Sequence, residues 1–230
     1  MHRNYYEAYD ERYRQVHSEN LQWFYDDPTP IVEETILKYG INGNSRLLEL
    51  GCGEGRDAFP LLTKGYRLLA TDISPEAIDY AKNKRPEFTN SFSVLDCIYG
   101  QLNEKVDFIY AVAVLHMLVE DTDRDSFLGF IREHLNPNGI ALICTMGDGN
   151  MERQTDINTA FDLQKRTHEQ TGKEIEIAST SCRIVSFDTL HKELHRNHLA
   201  LIQEGITSAP PDFPMLMYAV VKGQDVKNVK

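Results

Sequence analysis

Through its middle the chain alternates short apolar runs with amphipathic stretches, the pattern of a parallel sheet with helices between its strands. Residues 45–50, SRLLEL, read as a buried strand; a glycine turn follows, and 57–64 continues as a helix stopped by Gly65. YRLLATD (66–72) is a second strand, and Ser74 as N-cap with Pro75 at the first helical position starts a helix through Lys84. SFSVLD (91–96) is a third strand. VDFIYAV (106–112) is apolar on both faces, as a central parallel strand is, and 123–135 is the amphipathic helix after it. Asn136-Pro137-Asn138-Gly139 makes a turn, IALICTM (140–146) a fifth strand and FDTLHKELHRN (187–197) a late helix.

The two ends depart from this rhythm. LALIQEGI (199–206) and MLMYAVVK (215–222) flank SAPPDFP, which is too short for a crossover helix, so these strands should pair antiparallel. Residues 1–40 precede the first strand; within them Thr29 as cap, Pro30 at the first turn and Gly40 beyond the last mark a helix. Residues 147–185 interrupt the pattern, with 151–173 expected to be helical, and are longer than a simple connection, which suits a lid or a substrate-recognition insert. The fold expected is α/β, Rossmann-like, with a seven-stranded, mostly parallel sheet, an antiparallel terminal hairpin and helices on both faces. One domain is expected over 1–230, with 1–40 as a helical cover.

Composition narrows the partners. The 230 residues carry a net charge of −11, which works against a phosphate-binding surface and so against DNA or structured RNA. The longest apolar run, 108–115, falls far short of the roughly 20 residues of a membrane span, and the polar start reads as no signal peptide. Cys52, Cys97, Cys144 and Cys182 lie far apart with no Cys-x-x-Cys pair, which fits neither a disulfide framework nor a thiolate zinc site and points to a reducing cytoplasm. No metal is expected, and the sequence leaves the oligomeric state open.

The sharpest chemical signal is LLELGCGEGRDAF. A strand ends at Glu49, and Gly51, Gly53 and Gly55 let the backbone bend tightly beside a ligand before a helix opens. The NAD fingerprint Gly-x-Gly-x-x-Gly is broken at Arg56. Asp72 and Asp96 end the second and third strands, at the edge where open α/β sheets bind ligands. A carboxylate after the second strand suits a ribose diol and one after the third an adenine amino group; the alternative is that each caps the helix after it.

On these residues the chain resembles the class I S-adenosylmethionine-dependent methyltransferases. The match runs in order from 45 to 146 through LLELGCGEGR, ATDIS, VLDC, VDFIYAVAVLHML and LNPNGIALI, and the closing hairpin belongs to the same fold. The resemblance implies that Glu49, Gly51 and Gly53 surround the methionine part of S-adenosylmethionine. It implies further that Asp72, with Ile73 beside it, holds the ribose, that Asp96 with Cys97 flanks the adenine, and that backbone near Ala111 receives the amino group. The glycine turn and the strand-to-LHM stretch are similar to bacterial enzymes of the tellurite-resistance and thiopurine methyltransferase type. The expected activity is methyl transfer by in-line displacement to a small-molecule acceptor, in which the protein aligns nucleophile, methyl carbon and sulfur and keeps water out. An NAD-dependent oxidoreductase, a non-catalytic S-adenosylmethionine-binding regulator, and a methyltransferase acting on protein or RNA are the competing readings.

Further residues carry possible roles. Tyr5, Tyr9 and Tyr13 recur at helical spacing, with Tyr6 and Trp23 close by. An aromatic cover, with Tyr13 and Trp23 facing the sulfonium, competes with an ordinary packing stripe. His116, after the fourth strand, is a candidate general base, with a packing role as its alternative. Arg56 could meet a substrate carboxylate or lie exposed in the first helical turn. His191, His195 and His198 share a helix face without a carboxylate or thiolate motif, which reads as a solvated face.

Overall fold

The computed structural model describes residues 3–224. In chain order the elements are α1 (Ala8–Ser18), α2 (Pro30–Lys38), β1 (Arg46–Leu50), α3 (Ala58–Thr63), β2 (Arg67–Asp72), α4 (Pro75–Lys84), β3 (Phe92–Val94), β4 (Val106–Val112), α5 (Asp121–His134) and β5 (Leu135–Met146). There follow β6 (Arg153–Gln154), β7 (Leu163–Thr167), β8 (Glu174–Ala178), β9 (Arg183–Ile184), α6 (Phe187–Arg196), β10 (Leu199–Ala209) and β11 (Phe213–Gly223). Seven of the strands form one sheet in the order β10-β11-β5-β4-β1-β2-β3. Its pairs are parallel from β3 to β5, while β11 runs antiparallel to both β5 and β10.

The strands expected in the sheet, their mostly parallel pairing and the closing antiparallel hairpin are all present. Central β4 is apolar on both faces because both are covered: Phe108 and Tyr110 face one core layer, Ile109 and Ala111 the other. Ser74 caps α4 as expected, accepting from Ala77 N at 3.0 Å. The 136–139 turn bulges out of β5 between the pairs Val106–Leu135 and Phe108–Ile140. Buried Arg124 of α5 pairs with Glu193 of α6 through two contacts of 2.7 Å and donates to the carbonyls of Leu115 and Leu118.

The expected helix over 151–173 is a correction. That stretch holds β6, a short 3-10 turn at Ile157–Thr159, β7 and the turn into β8; β6 pairs with β9 and β7 with β8. The helix formers Gln164, Lys165 and Arg166 adopt a strand because β8 offers a partner edge, and Gly172, at φ +72°, closes the turn. β8 buries Ile175 and Ile177 against Val16 of α1, so the insert lies on the N-terminal helix. No helix of the described residues is long and apolar enough to cross a membrane.

Candidate functional site

At the carboxyl edge of the sheet the turn after β1 is pinned to β2. Gly51 N and Cys52 N both donate to Thr71 O, at 2.7 and 2.9 Å, and Thr71 Oγ1 returns a bond to Glu49 O at 2.7 Å. Gly51 has φ +74°, and a Cβ there would stand 2.3 Å from Val114 Cγ2; at Gly53 (φ +52°) it would stand 2.5 Å from the Tyr13 hydroxyl. Glycine is required at both by backbone angle and by space. Asp72 holds the turn from the other side, its carboxylate accepting from Gly53 N and Ser74 N, each at 2.8 Å. Burial pushes its pKa up to about 6, against the pull of those amides.

A cavity enclosing about 1010 Å³ of empty space, its open mouth included, sits on this edge, at the upper end of small-molecule clefts. Of the residues assigned from sequence, Glu49, Gly51, Gly53, Asp72, Ile73, Asp96, Cys97 and Tyr13 all line it. Glu49 is buried, one of its oxygens accepting from the Tyr110 hydroxyl at 2.9 Å, and burial with the nearby Asp57 charge holds its pKa well above the carboxylate range. Asp96 accepts from Ile98 N at 2.8 Å and touches the Tyr6 hydroxyl at 3.5 Å. Glu49, Glu54, Asp57, Asp72 and Asp96 set an acidic wall against the single basic side chain, Arg56.

Residues near the N-terminus close the cavity. Tyr6, Tyr9 and Tyr13 line it, as do Gln22, Phe24 and Tyr25. Buried Glu54 clasps this segment: its carboxylate accepts from Trp23 N at 2.7 Å and Phe24 N at 3.0 Å, and lies 2.9 Å from His17 Nε2. His17 also meets Glu76 at 2.9 Å and stacks on Tyr80. Burial disfavours its charge, but the two carboxylates outweigh that and raise its pKa. On the far side, Arg12 of α1 donates to the carbonyls of Ala178 and Ser179 and to Thr180 Oγ1, and the Tyr9 hydroxyl donates to Ser181 O at 2.6 Å.

Three assigned residues lie elsewhere. Ala111 is enclosed in β4; the residues of this stretch that line the cavity are Val112, Ala113 and Val114, with Ala113 at φ +58° and its N–H donating to Cys144 O at 2.9 Å. The Trp23 indole packs against the Arg12 guanidinium, 5.0 Å from ring centre to Cζ, and only its backbone reaches the clasp. His116 is buried outside the lining. Burial and the charges of Arg124 and Arg12 lower its pKa to about 3, leaving a neutral ring whose Nδ1 has no partner. His191 pairs with Glu204 rather than with the other histidines, and no metal-holding group of His, Cys, Asp and Glu occurs among the described residues.

Arg56 is not exposed. Its side chain is 10% accessible, bonded to Asp57 at 2.9 Å and Thr29 Oγ1 at 3.0 Å, and set 5.6 Å from the ring centres of both Phe24 and Phe213. Phe213, Phe24 and Tyr25 line the cavity without having been read from the sequence: Phe24 and Tyr25 lie in a polar connection before α2, and Phe213 opens β11 directly after a proline-containing turn, none with a periodic signal of its own.

Residues 48–141 match the model of a methyltransferase domain family. Among curated proteins the chain is similar to the ubiquinone biosynthesis O-methyltransferase of Rickettsia typhi, with 27% identity over 117 residues, 50% of this chain and 47% of that protein. The chain thus spans about half the length of the curated relatives it matches. Among solved structures it superposes on the Burkholderia thailandensis 1,6-didemethyltoxoflavin-N1-methyltransferase with bound 1,6-didemethyltoxoflavin and S-adenosylhomocysteine. That match has a TM-score of 0.68 and 16% identity and covers 98% of this chain and 92% of that one. A TehB-like S-adenosylmethionine-dependent methyltransferase from Corynebacterium glutamicum matches with a TM-score of 0.58 and 20% identity, covering 95% and 98% of the two chains. At such identities the likeness is one of fold.

Proposed function

With a methyltransferase domain at residues 48–141 in a chain of the class I methyltransferase fold, we propose that this protein transfers a methyl group from S-adenosylmethionine to a small-molecule acceptor. One observation carries the reading: eight of the residues assigned to the cofactor from sequence line a single cavity on the carboxyl edge. The residues present fit that cofactor. Asp72 and Asp96 offer carboxylates at the ends of β2 and β3 for hydroxyl and amino donors, and the acidic wall with Tyr6, Tyr9 and Tyr13 suits a cation. When bound, S-adenosylmethionine supplies a methyl group already activated on a sulfonium, so the protein's part is alignment and exclusion of water. Glu54, by holding Trp23 and Phe24 over the turn, and Arg12, by holding the insert on α1, supply that enclosure.

We assign no proton transfer to His116, whose ring lies outside the cavity. The acceptor is a small molecule in this reading because the cavity is walled by the N-terminal segment and by Phe213, and because the net charge of −11 opposes nucleic acid. Four free cysteines accord with a reducing cytoplasm. A thermal-shift screen with S-adenosylmethionine, S-adenosylhomocysteine, NAD and NADP tests the assignment, since a ligand that binds only the native state raises its melting temperature. The adenosyl ligands should raise it and the dinucleotides should not. A rise with NAD alone would overturn the reading.

A further inference from the structure

His17 stands between two acids. Its ring reaches Glu54 Oε1, in the turn after β1, through Nε2 and Glu76 Oε1, in the first turn of α4, through Nδ1, each at 2.9 Å. It also stacks on the Tyr80 ring, 4.3 Å between centres. An ionised carboxylate only accepts, so both bonds form only when both ring nitrogens carry a proton, and the imidazolium alone has two. The geometry therefore fixes the charge of the ring. The His17 side chain is 8% exposed, Glu54 is buried, and no other cation lies within ion-pair distance of Glu54 among the described residues. The same Glu54 carboxylate accepts from Trp23 N and Phe24 N, and Phe24 lines the cavity beside Gln22 and Tyr25.

When the ring loses a proton, one of its nitrogens turns a lone pair towards an acid. Glu76, 36% exposed at its side chain, can rotate into water; Glu54 is left a buried carboxylate without a counter-charge. Its relief is hydration, which lifting the Trp23–Phe24 segment off the turn provides. Resting on the methyltransferase reading for the identity of the ligand, we propose that His17 is a proton-operated latch on the cover of the cavity, shut as the imidazolium and released as rising pH deprotonates it, which speeds cofactor exchange. Burial works against the charge, but the two acids outweigh it and raise the pKa, so the latch is fully engaged below about 6.5 and opens through the folded value. The neighbouring groups do not share this titration. Tyr80 on α4 and Tyr13 on α1 stay protonated, burial and nearby acids raising both above 10. Asp10 pairs with Arg14, Lys84 of α4 with Asp26, and Glu19 with Lys173 of the insert, all away from the ring. His168 of the insert holds Gln22 O through Nε2 while Nδ1 faces the Thr171 hydroxyl, so one proton suffices there. Asp72 and Asp212, pushed up to about 6 by burial, act with the opposite sign, losing their charge as pH falls.

The test follows two signals between about pH 6 and 9: release of S-adenosylhomocysteine by stopped-flow displacement, and Trp23 emission in the ligand-free protein. In the wild type, release should quicken at least about tenfold across that range, as expected for loss of a charge-assisted contact. Trp23 emission should move to the red. Both midpoints should match the pH at which nitrogen NMR of histidine-labelled protein shows His17 losing its second ring proton. His17→Gln, whose amide donates to one acid and does not titrate, should show neither step. Glu76→Gln removes the more exposed acid and should move both midpoints to lower pH, a result that decides the matter if His17→Gln does not fold. Release and emission that are flat with pH in the wild type overturn the latch. So does a step retained in folded His17→Gln, or a midpoint in Glu76→Gln equal to that of the wild type. A wild type that binds no S-adenosylhomocysteine at any pH, yet shows the emission step that Glu76→Gln shifts, would remove the methyltransferase reading while the latch on the cover stands.

Discussion

Glu54 is the residue whose removal should open the cavity. It accepts two backbone N–H groups and faces His17 Nε2, all within 3.0 Å, from a 2% exposed position. In Glu54→Ala these three groups lose their partner, and each costs about 1–3 kcal/mol if it stays buried, or about 3–9 kcal/mol in all. Letting the segment around Trp23 and Phe24 swing out instead forfeits their partial burial, about 2–4 kcal/mol for the two side chains, and returns the amides to water. Swinging out is the cheaper response. The variant should therefore unfold globally with a loss of only about 2–4 kcal/mol while its N-terminal segment undocks. Trp23, the only tryptophan, reports this directly: its emission should shift to the red, and the Trp23 and Phe24 amides should lose protection in hydrogen exchange. Glu54→Gln, which keeps one oxygen acceptor, should fall between. The same clasp carries a pH dependence through His17. Its folded pKa is raised above 6.5, so its contribution is complete below about 6.5 and is lost as pH rises through the folded value. Unchanged Trp23 emission and intact amide protection in Glu54→Ala would refute the clasp.

Two further outcomes follow. Asp72→Ala should weaken S-adenosylhomocysteine at least about tenfold, through loss of a carboxylate acceptor that also steadies Gly53. Because burial puts Asp72 at about 6, wild-type affinity should fall as pH is lowered through that value, and Asp72→Asn should flatten the step in a calorimetric pH series; a step of unchanged size would assign it to another group. Arg124→Met should cost about 3–5 kcal/mol in urea denaturation by stranding buried Glu193, and Arg124→Met combined with Glu193→Leu should recover most of it; a single variant as stable as the wild type would show that the pair is unimportant.

The centre of the sheet was legible in sequence because β1, β4 and most of β5 are buried on both faces and announce themselves as apolar runs, and because acids stand at or near the strand ends, Glu49 within β1, Asp72 closing β2 and Asp96 two residues past β3. The glycine turn was legible for a related reason: its positive φ angles admit little else. The insert was not. β7 has no buried face of its own, Leu163 being largely exposed, so its conformation is set by β8 and by α1, partners far away in sequence. Arg56 illustrates the same limit at the site. Its environment is assembled from Thr29, Asp57, Phe24 and Phe213, and nothing local distinguishes it from an arginine in solvent. Ala113 takes a left-handed backbone angle that no local residue preference announces, and the residues at the cavity are Val112–Val114 rather than Ala111 itself.

The bonds from Arg12 to residues 178–180 also constrain how the molecule is made. A chain emerging from the ribosome presents α1 first, but the carbonyls that Arg12 holds and the strand that covers Val16 are synthesised more than 150 residues later. At about 5–20 residues per second that interval is of order ten seconds. Through it, β1 to β4 and their helices can associate while α1 lacks the partner for its buried arginine. The residues of the cavity edge thus leave the ribosome well before those that fasten its cover, the contacts of Arg12 and Val16 waiting on the last third of the chain.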